Sequence, residues 1–480
     1  MGNVLSEKVK TAALGWVEAN KRRLIEVSDA IWEYAELGLI EHRSAKLLGD
    51  ELESHGFRVE RGVAGMPTAF VASYGEGKPV IGVMGEYDAL QGVSQKRVPN
   101  KEPLIQGGPG HGCGHNIHGT TALGGALAVR HAMEEHSLKG TIRFYGCPAE
   151  ESGSGKVWMV RDGVFDGVDA VLSHHPGAMN YGSIGSSLAN NSVKFHFHGT
   201  TSHAAGSPEQ GRSALDAVEL MNVGVNYLRE HVVQDARIHY IIEEGGGQPN
   251  VVPDYARSWY LIRAPERDQV DQIYARVLKI ADGAVLMTET RLEVEFIKAV
   301  YNKLPSKTLS GLVSENMRLV GAPEYTAEEL EFAKKIAEQI TPESKRETLR
   351  KSKRPGWETL MDTLLDWSFP DAWDEGEVSH GSTDVSDVSW MAPTMEFSTT
   401  TWVLGTPGHH WMNVAQAGTG VGHKSLIFAS KVIAASVLDL LTKPALLEKA
   451  WDEHRERTRG KKYVSPLPPD AKPPLDMWEK

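Results

Sequence analysis

Apolar residues recur at helical spacing over the first forty positions (Leu14, Val17, Leu24, Val27, Ile31, Tyr34), so the chain opens with helix. Short strand-like runs follow at Phe57–Val63, Thr68–Ser73 and Pro79–Met84. After a glycine-rich loop, Thr120–Met133 reads as a buried helix, Thr141–Tyr145 as a strand, Lys156–Arg161 as the middle of a helix and Ala170–Ser173 as a strand. Strands alternating with helices predict an α/β fold, with a mixed, mostly parallel sheet covered by helices on both faces.

The pattern changes near residue 188. Val193, Phe195 and Phe197 alternate with Lys194, His196 and His198, a half-exposed strand. A helix over Ser213–Glu230, strands at Ile238–Ile242 and Arg257–Ile262, a helix over Asp268–Leu286 and a strand at Arg291–Phe296 complete a split βαβ, ferredoxin-like unit. Residues 188–299 are therefore expected to form an α+β domain inserted into a discontinuous one made of 1–187 and 300–480. Residues 301–378 are expected to be helical and charge-rich, with Thr341–Arg354 a mobile surface segment. Strands return at Thr394–Ser398 and Trp402–Leu404, a helix over Leu426–Leu441 closes the core, and the proline-rich tail from Lys461 should be extended.

The 480 residues carry 51 Lys+Arg against 63 Asp+Glu, a net charge of −12, which argues against nucleic acid or an anionic membrane as partner. Lys431 and Asp439 interrupt the most apolar stretch, so no membrane span is expected. Two cysteines, Cys113 and Cys147, fit a reducing compartment, and the expectation is a soluble cytoplasmic protein. Met1-Gly2 with Ser6 matches the minimal acylation pattern, which two fixed small residues meet easily.

Histidine changes the picture. Ten of nineteen lie within the 93 residues from His111 to His203, where an even scatter would put about four. In Gly110-His111-Gly112-Cys113-Gly114-His115-Asn116-Ile117-His118, glycines let soft ligands bend around an ion. A glycine turn with a buried thiol is the plain alternative, and no second pair follows at zinc-finger spacing. Glu150-Glu151, His174-His175 and Glu86-Tyr87-Asp88 each follow or end a predicted strand, and His409-His410 follows the run at Trp402. Each alone could be a solvated turn. Together they would converge on one sheet edge and supply ligands for two divalent ions plus a free carboxylate, the equipment of metal-assisted hydrolysis. In the inserted unit His203, Asn250 and Arg263 are candidate anion and oxyanion donors, or else an ordinary loop histidine, turn residue and ion-pair partner.

The segments GEYDAL at 85–90, GHGCGHN at 110–116, GCPAEESGSGK at 146–156, GRSALDAV at 211–218, GGGQPNVVPD at 245–254 and STDVSDVSW at 382–390 extend over most of the chain. In these the chain resembles the aminoacylase–carboxypeptidase family of dinuclear metallopeptidases, in the amidohydrolase branch that includes auxin-conjugate and hippurate hydrolases. The resemblance implies that Cys113, His115, Glu151, His175 and His409 bind two divalent ions, zinc or manganese. It implies Glu150 as general base, Asp88 among the catalytic residues, and Asn250 and Arg263 as substrate-binding. His203 would reach the partner subunit's site from a lid domain that makes a homodimer, with assembly with a second, related subunit as the other possibility. His174 and His410 compete with their neighbours as ligands, and the resemblance favours His175 and His409. Other members have His-x-Asp where this chain has Glu86-Tyr87-Asp88, so Glu86 is not assigned as a ligand. The branch usually has Asp where Asn116 stands, which should remove a charge near the metals. The implied activity is hydrolysis of N-acyl or N-aroyl amino acids, aroyl glutamate foremost, with indole-acetyl, benzoyl or dipeptide substrates as alternatives. A thiol hydrolase using Cys113 and a non-enzymatic binding subunit are the rivals.

Overall fold

The structure, a computed structural model, describes residues 2–478. Helix α1 (Gly2–Tyr34) and α2 (His42–Ser54) precede strands β1 (Arg58–Arg61), β2 (Phe70–Glu76) and β3 (Val80–Glu86). Helix α3 (His115–His136), β4 (Gly140–Cys147), α4 (Gly155–Arg161), β5 (Ala170–Gly177) and the short β6 (Tyr181–Gly182) and β7 (Ser186–Ser187) follow. Met1, with the start of the acylation pattern, lies outside the described residues. Ser6 is buried, its hydroxyl 3.1 Å from Asp439 Oδ1.

A second unit runs β8 (Ala189–His198), α5 (Ala214–Leu228), β9 (Arg237–Glu244), β10 (Tyr255–Ala264), α6 (Arg267–Thr288) and β11 (Arg291–Val300). Its sheet has the order β11-β8-β10-β9, antiparallel throughout. Val193, Phe195, Phe197, Tyr260 and Ile262 face the two helices and make a separate core with Val218, Met221 and Val277. The period-two alternation produced this result, because each second residue of β8 and β10 must be apolar to cover α5 and α6.

The chain returns through α7 (Lys307–Val320), α8 (Ala327–Ala337), α9 (Pro342–Lys351), the two-residue β12 (Val378–Ser379), α10 (Val385–Met391), β13 (Thr394–Thr400), α11 (Trp411–Ala417), α12 (Gly420–Thr442) and α13 (Pro444–Thr458). The main sheet has the order β1-β2-β4-β3-β5-β13-β6. Its four central strands, β4, β3, β5 and β13, are parallel, and antiparallel strands flank them. β3 is buried along its whole length, as a central strand covered on both faces requires. α1, α3 and α12 pack together on one face, and Trp158, Val157 and Phe165 fill the other.

Three expectations change. Thr341–Arg354 is no loose surface segment. Thr341 caps α9 through its hydroxyl, and Leu349 is fully buried between Leu360 and Leu404. Trp402–Leu404 is not a strand but a buried loop, held by the Val403 amide on Gln416 Oε1 (2.8 Å). Residues 352–377 carry only a 3₁₀ turn, Trp357–Leu360, because Pro355, Gly356, Pro370 and Gly376 break any longer helix. In addition, α12 begins six positions before the expected helix. At 23 residues it is long and apolar enough to cross a membrane, and 83% of its most apolar window is buried within the protein.

Candidate metal centre

Parallel strands deliver their carboxyl ends to one edge, and the candidate residues gather there. Glu86 ends β3 and Asp88 follows it. β4 leads into the Glu150-Glu151 turn, His175 lies near the end of β5, and the loop after β13 carries His409. Cys113 and His115 flank Gly114, whose left-handed backbone (φ 78°) turns the chain into α3. A Cβ there would meet the Trp402 ring at 2.9 Å. Gly119 lets α3 press onto β3, since its Cβ would lie 2.6 Å from the Glu86 carbonyl oxygen. Ala149 and His409 also have positive φ (56° and 52°), a strained backbone that aims Glu150-Glu151 and His409 inward.

Donor atoms fall into two groups that share one sulfur. Cys113, His115 and His175 form the first, and Cys113, Glu151 and His409 the second, with the atoms of each group within 4.8 Å of one another. Glu150 joins His115 and Glu151 in a third. His175 Nε2 is 3.3 Å from Cys113 Sγ, whereas His174 points to the opposite face, with Nε2 2.6 Å from Thr399 Oγ1. His409 Nε2 is 3.6 Å from Glu151 Oε1, while His410 caps α11.

Partners outside the two groups set the orientations. Asp88 Oδ1 lies 2.8 Å from His115 Nδ1, and Oδ2 accepts the Glu151 amide hydrogen at 3.0 Å. That bond leaves His115 Nε2 turned toward the cluster. Glu41 Oε1 accepts the Ala149 amide at 2.8 Å and fixes the turn before Glu150. Lys156, fully buried, puts Nζ 2.6 Å from both Glu86 Oε1 and Asp384 Oδ1. Glu41, Lys156 and Asp384 were not singled out from the sequence, although Lys156 and Asp384 lie inside two of its motifs. The Asn116 amide donates to Ser28 Oγ (3.0 Å) and the Ala417 carbonyl (3.2 Å), so it ties α3 to α1.

Glu86, His118 and Glu396 also lie close together. His118 Nδ1 accepts the Glu86 amide hydrogen (3.0 Å), so its proton sits on Nε2, facing Ser173 Oγ and Glu86 Oε2. A nitrogen bearing a proton cannot ligate, and this group is a hydrogen-bonded support.

Charge at the site is unbalanced. Burial raises the Cys113 thiol, but His175 and His115 outweigh it and hold the thiol well below its usual range. Burial pulls His175 down, and the Cys113 charge carries it up to about 10. Burial, then Cys113, raises Glu151 to about 8. Burial, then Glu86, Asp384 and Glu151, raises Glu150 well above the carboxylate range. Imidazolium protons here stand where cations would, and metal binding releases such protons. The donor set fits divalent ions, because Glu151 Oε1 and His115 Nε2 are buried with no hydrogen-bond partner.

Two cavities meet at Glu150 and Glu151, one of about 900 Å³ over Cys113, His175 and His409, the other of about 510 Å³ against the second sheet. Arg263 lines the smaller one, its Nη1 donating to the His380 carbonyl (3.1 Å). His203 and Asn250 are not brought to the cluster. They lie side by side on two exposed loops of the second unit, where the Ala204 amide donates to the Asn250 carbonyl (3.0 Å).

Fold and site thus define a metallohydrolase that acts on amides. Residues 82–410 match the model of peptidase family M20/M25/M40, and the chain belongs to that family. It is 43% identical over 466 residues to one of the subunits of the p-aminobenzoyl-glutamate hydrolase of Escherichia coli K12, covering 95% of this chain and 97% of that protein. It is 27% identical to the Xaa-Arg dipeptidase of Mus musculus, over 94% of this chain and 93% of that one. A Bacillus subtilis dinuclear metal binding peptidase from the M20 family shares the fold (TM-score 0.57, 19% identity, 88% of this chain and 99% of that one).

Proposed function

We propose that the chain hydrolyses the amide of N-aroyl or N-acyl amino acids, with p-aminobenzoyl-glutamate the leading substrate. Products would be the aryl acid and glutamate. The 43% identity to a hydrolase named for that substrate supports the choice. Residues 1–187 and 300–480 would act as the catalytic domain and 188–299 as the lid.

In this reading Cys113, His115 and His175 hold one divalent ion and Cys113, Glu151 and His409 the other, zinc or manganese in each case. Sulfur and imidazole donors suit zinc, and carboxylate oxygen suits manganese. Bound ions supply Lewis acidity toward the amide carbonyl and acidify the attacking water. Glu150 takes the water's proton on a carboxylate oxygen and hands it to the leaving amine. A raised proton affinity, from burial and the surrounding acids, suits a base that must hold the proton between the two transfers. Asp88 keeps His115 in one tautomer, and Arg263 receives the substrate carboxylate. Exposed His203 and Asn250 would complete a site only across an interface. We therefore assign a homodimer through the lid, with His203 of each protomer stabilising the oxyanion in the other's site. A related chain could stand in for the second copy, since this one is also 28% identical over 327 residues to the companion subunit of the same E. coli hydrolase.

The observation that carries the proposal is Glu150, a carboxylate in the cavity wall beside two donor groups that are complete without it. Glu150→Gln should retain metal and lose roughly 10²–10⁴ in kcat, the usual worth of a general base. Near-normal turnover in the fully metallated variant would refute the assignment.

A further inference from the structure

The face of the second sheet turned away from α5 and α6 carries two kinds of cation. Toward one end each cation meets an acid: Lys194 and Arg257 reach Glu243 (3.2 and 3.0 Å), His196 reaches Glu295 (2.9 Å) and His198 reaches Glu293 (3.5 Å). Toward the other end, Arg263 and Lys298 form no ion pair among the described residues, although the chain carries a net charge of −12. Both line the 510 Å³ cavity that opens onto Glu150 and Glu151. Burial lowers the Arg263 guanidinium, with no acid opposing the shift.

Register fixes how the two cations are spaced. Arg263 pairs with Asn190 of β8, and Lys298 with Ser192 on that strand's other side. The two therefore stand two strand spacings apart, roughly 10 Å, and two residues out of step. Long side chains can close that separation onto two carboxylates of one small molecule, while Trp259 and Leu261 form an apolar wall beside them. Both cations are half-buried and lack an ion-pair partner among the described residues, so a ligand that brings two carboxylates supplies the counter-charges the chain does not.

We propose that Lys298 is a specificity-determining residue, which binds the side-chain carboxylate of an acidic amino acid while Arg263 takes the α-carboxylate. This rests on the amide-hydrolase reading, which already favours glutamate, and adds to it the residue that selects the acidic side chain. Neutral amino acids of the same shape bind less well, because Lys298 then faces an uncharged group and loses a charge-assisted hydrogen bond.

The test compares N-(4-aminobenzoyl)-glutamate with its isosteric glutamine analogue on the metal-loaded, full-length protein. The parent is expected to favour the glutamate compound roughly ten- to hundredfold in kcat/KM. Lys298→Gln should bring that ratio close to one, through KM, and Lys298→Arg should preserve it. A ratio unmoved by Lys298→Gln overturns the role of Lys298 and leaves the amide-hydrolase reading standing. Hydrolysis of neither compound by the parent overturns the amide-hydrolase reading instead. Calorimetric binding of both compounds to Glu150→Gln protein then decides Lys298 independently. Tighter glutamate binding that Lys298→Gln removes supports the assignment, and equal binding refutes it.

Discussion

Cys113, His115, Glu151 and His175 are held at the carboxyl edge of the main sheet by strand ends, a glycine turn and the Asp88 carboxylate. His203 and Asn250, on loops of the second sheet, are exposed and bonded chiefly to their own neighbourhood. Both regions carry motif residues, yet only the residues of the first are brought together in the structure. A buried polar cluster must have its partners in place before it can exist, since each unpaired atom costs free energy. A loop histidine in water carries no such requirement, so its partner can arrive with another protomer.

The largest effect is expected where the two donor groups join. Cys113→Ala removes the shared sulfur and should lower both bound metal and activity, the latter by more than about a hundredfold. Elemental analysis beside kinetics checks it, and full metal occupancy with selective loss of turnover would favour a thiol nucleophile instead. Lys156→Met tests the buried edge as structure. Leaving Glu86 and Asp384 without their ammonium should cost about 3–5 kcal/mol in denaturant unfolding. A loss under about 1 kcal/mol would mean the carboxylates are neutralised some other way. The exposed region is tested by mixing. Inactive His203→Ala and inactive Glu150→Gln protomers, combined at random, should recover roughly a quarter of full activity, because each mixed dimer regains one complete site. If differential tagging shows mixed dimers and no activity returns, His203 serves its own protomer or none.

The same contrast explains what could be read from the residues alone. Elements of 188–299 were legible because a half-buried strand repeats every second residue, and motif residues at strand ends were legible because parallel sheets gather them. Of His174 and His175, strand alternation requires one to face the cluster and one to face away, but parity alone does not say which. α9 was missed because its single buried side chain, Leu349, sits among charges that read as solvated. Trp402–Leu404 was misread because a buried loop is as apolar as a strand. Glu41 gave no local signal, and the motifs that contain Lys156 and Asp384 did not say that the two would pair. Their meaning comes from residues 108 and 228 positions away. The partners of Asn116, Ser28 and Ala417, are likewise distant in sequence and close in space.

One measurement bears on the central claim more directly than any variant. Purified protein, assayed on p-aminobenzoyl-glutamate, is stripped with a chelator and titrated with zinc or manganese while bound metal is counted. Activity should vanish on stripping and return with added metal, reaching its plateau at two ions per chain, the number that two donor groups sharing Cys113 can hold. Undiminished turnover by metal-free protein would contradict the account.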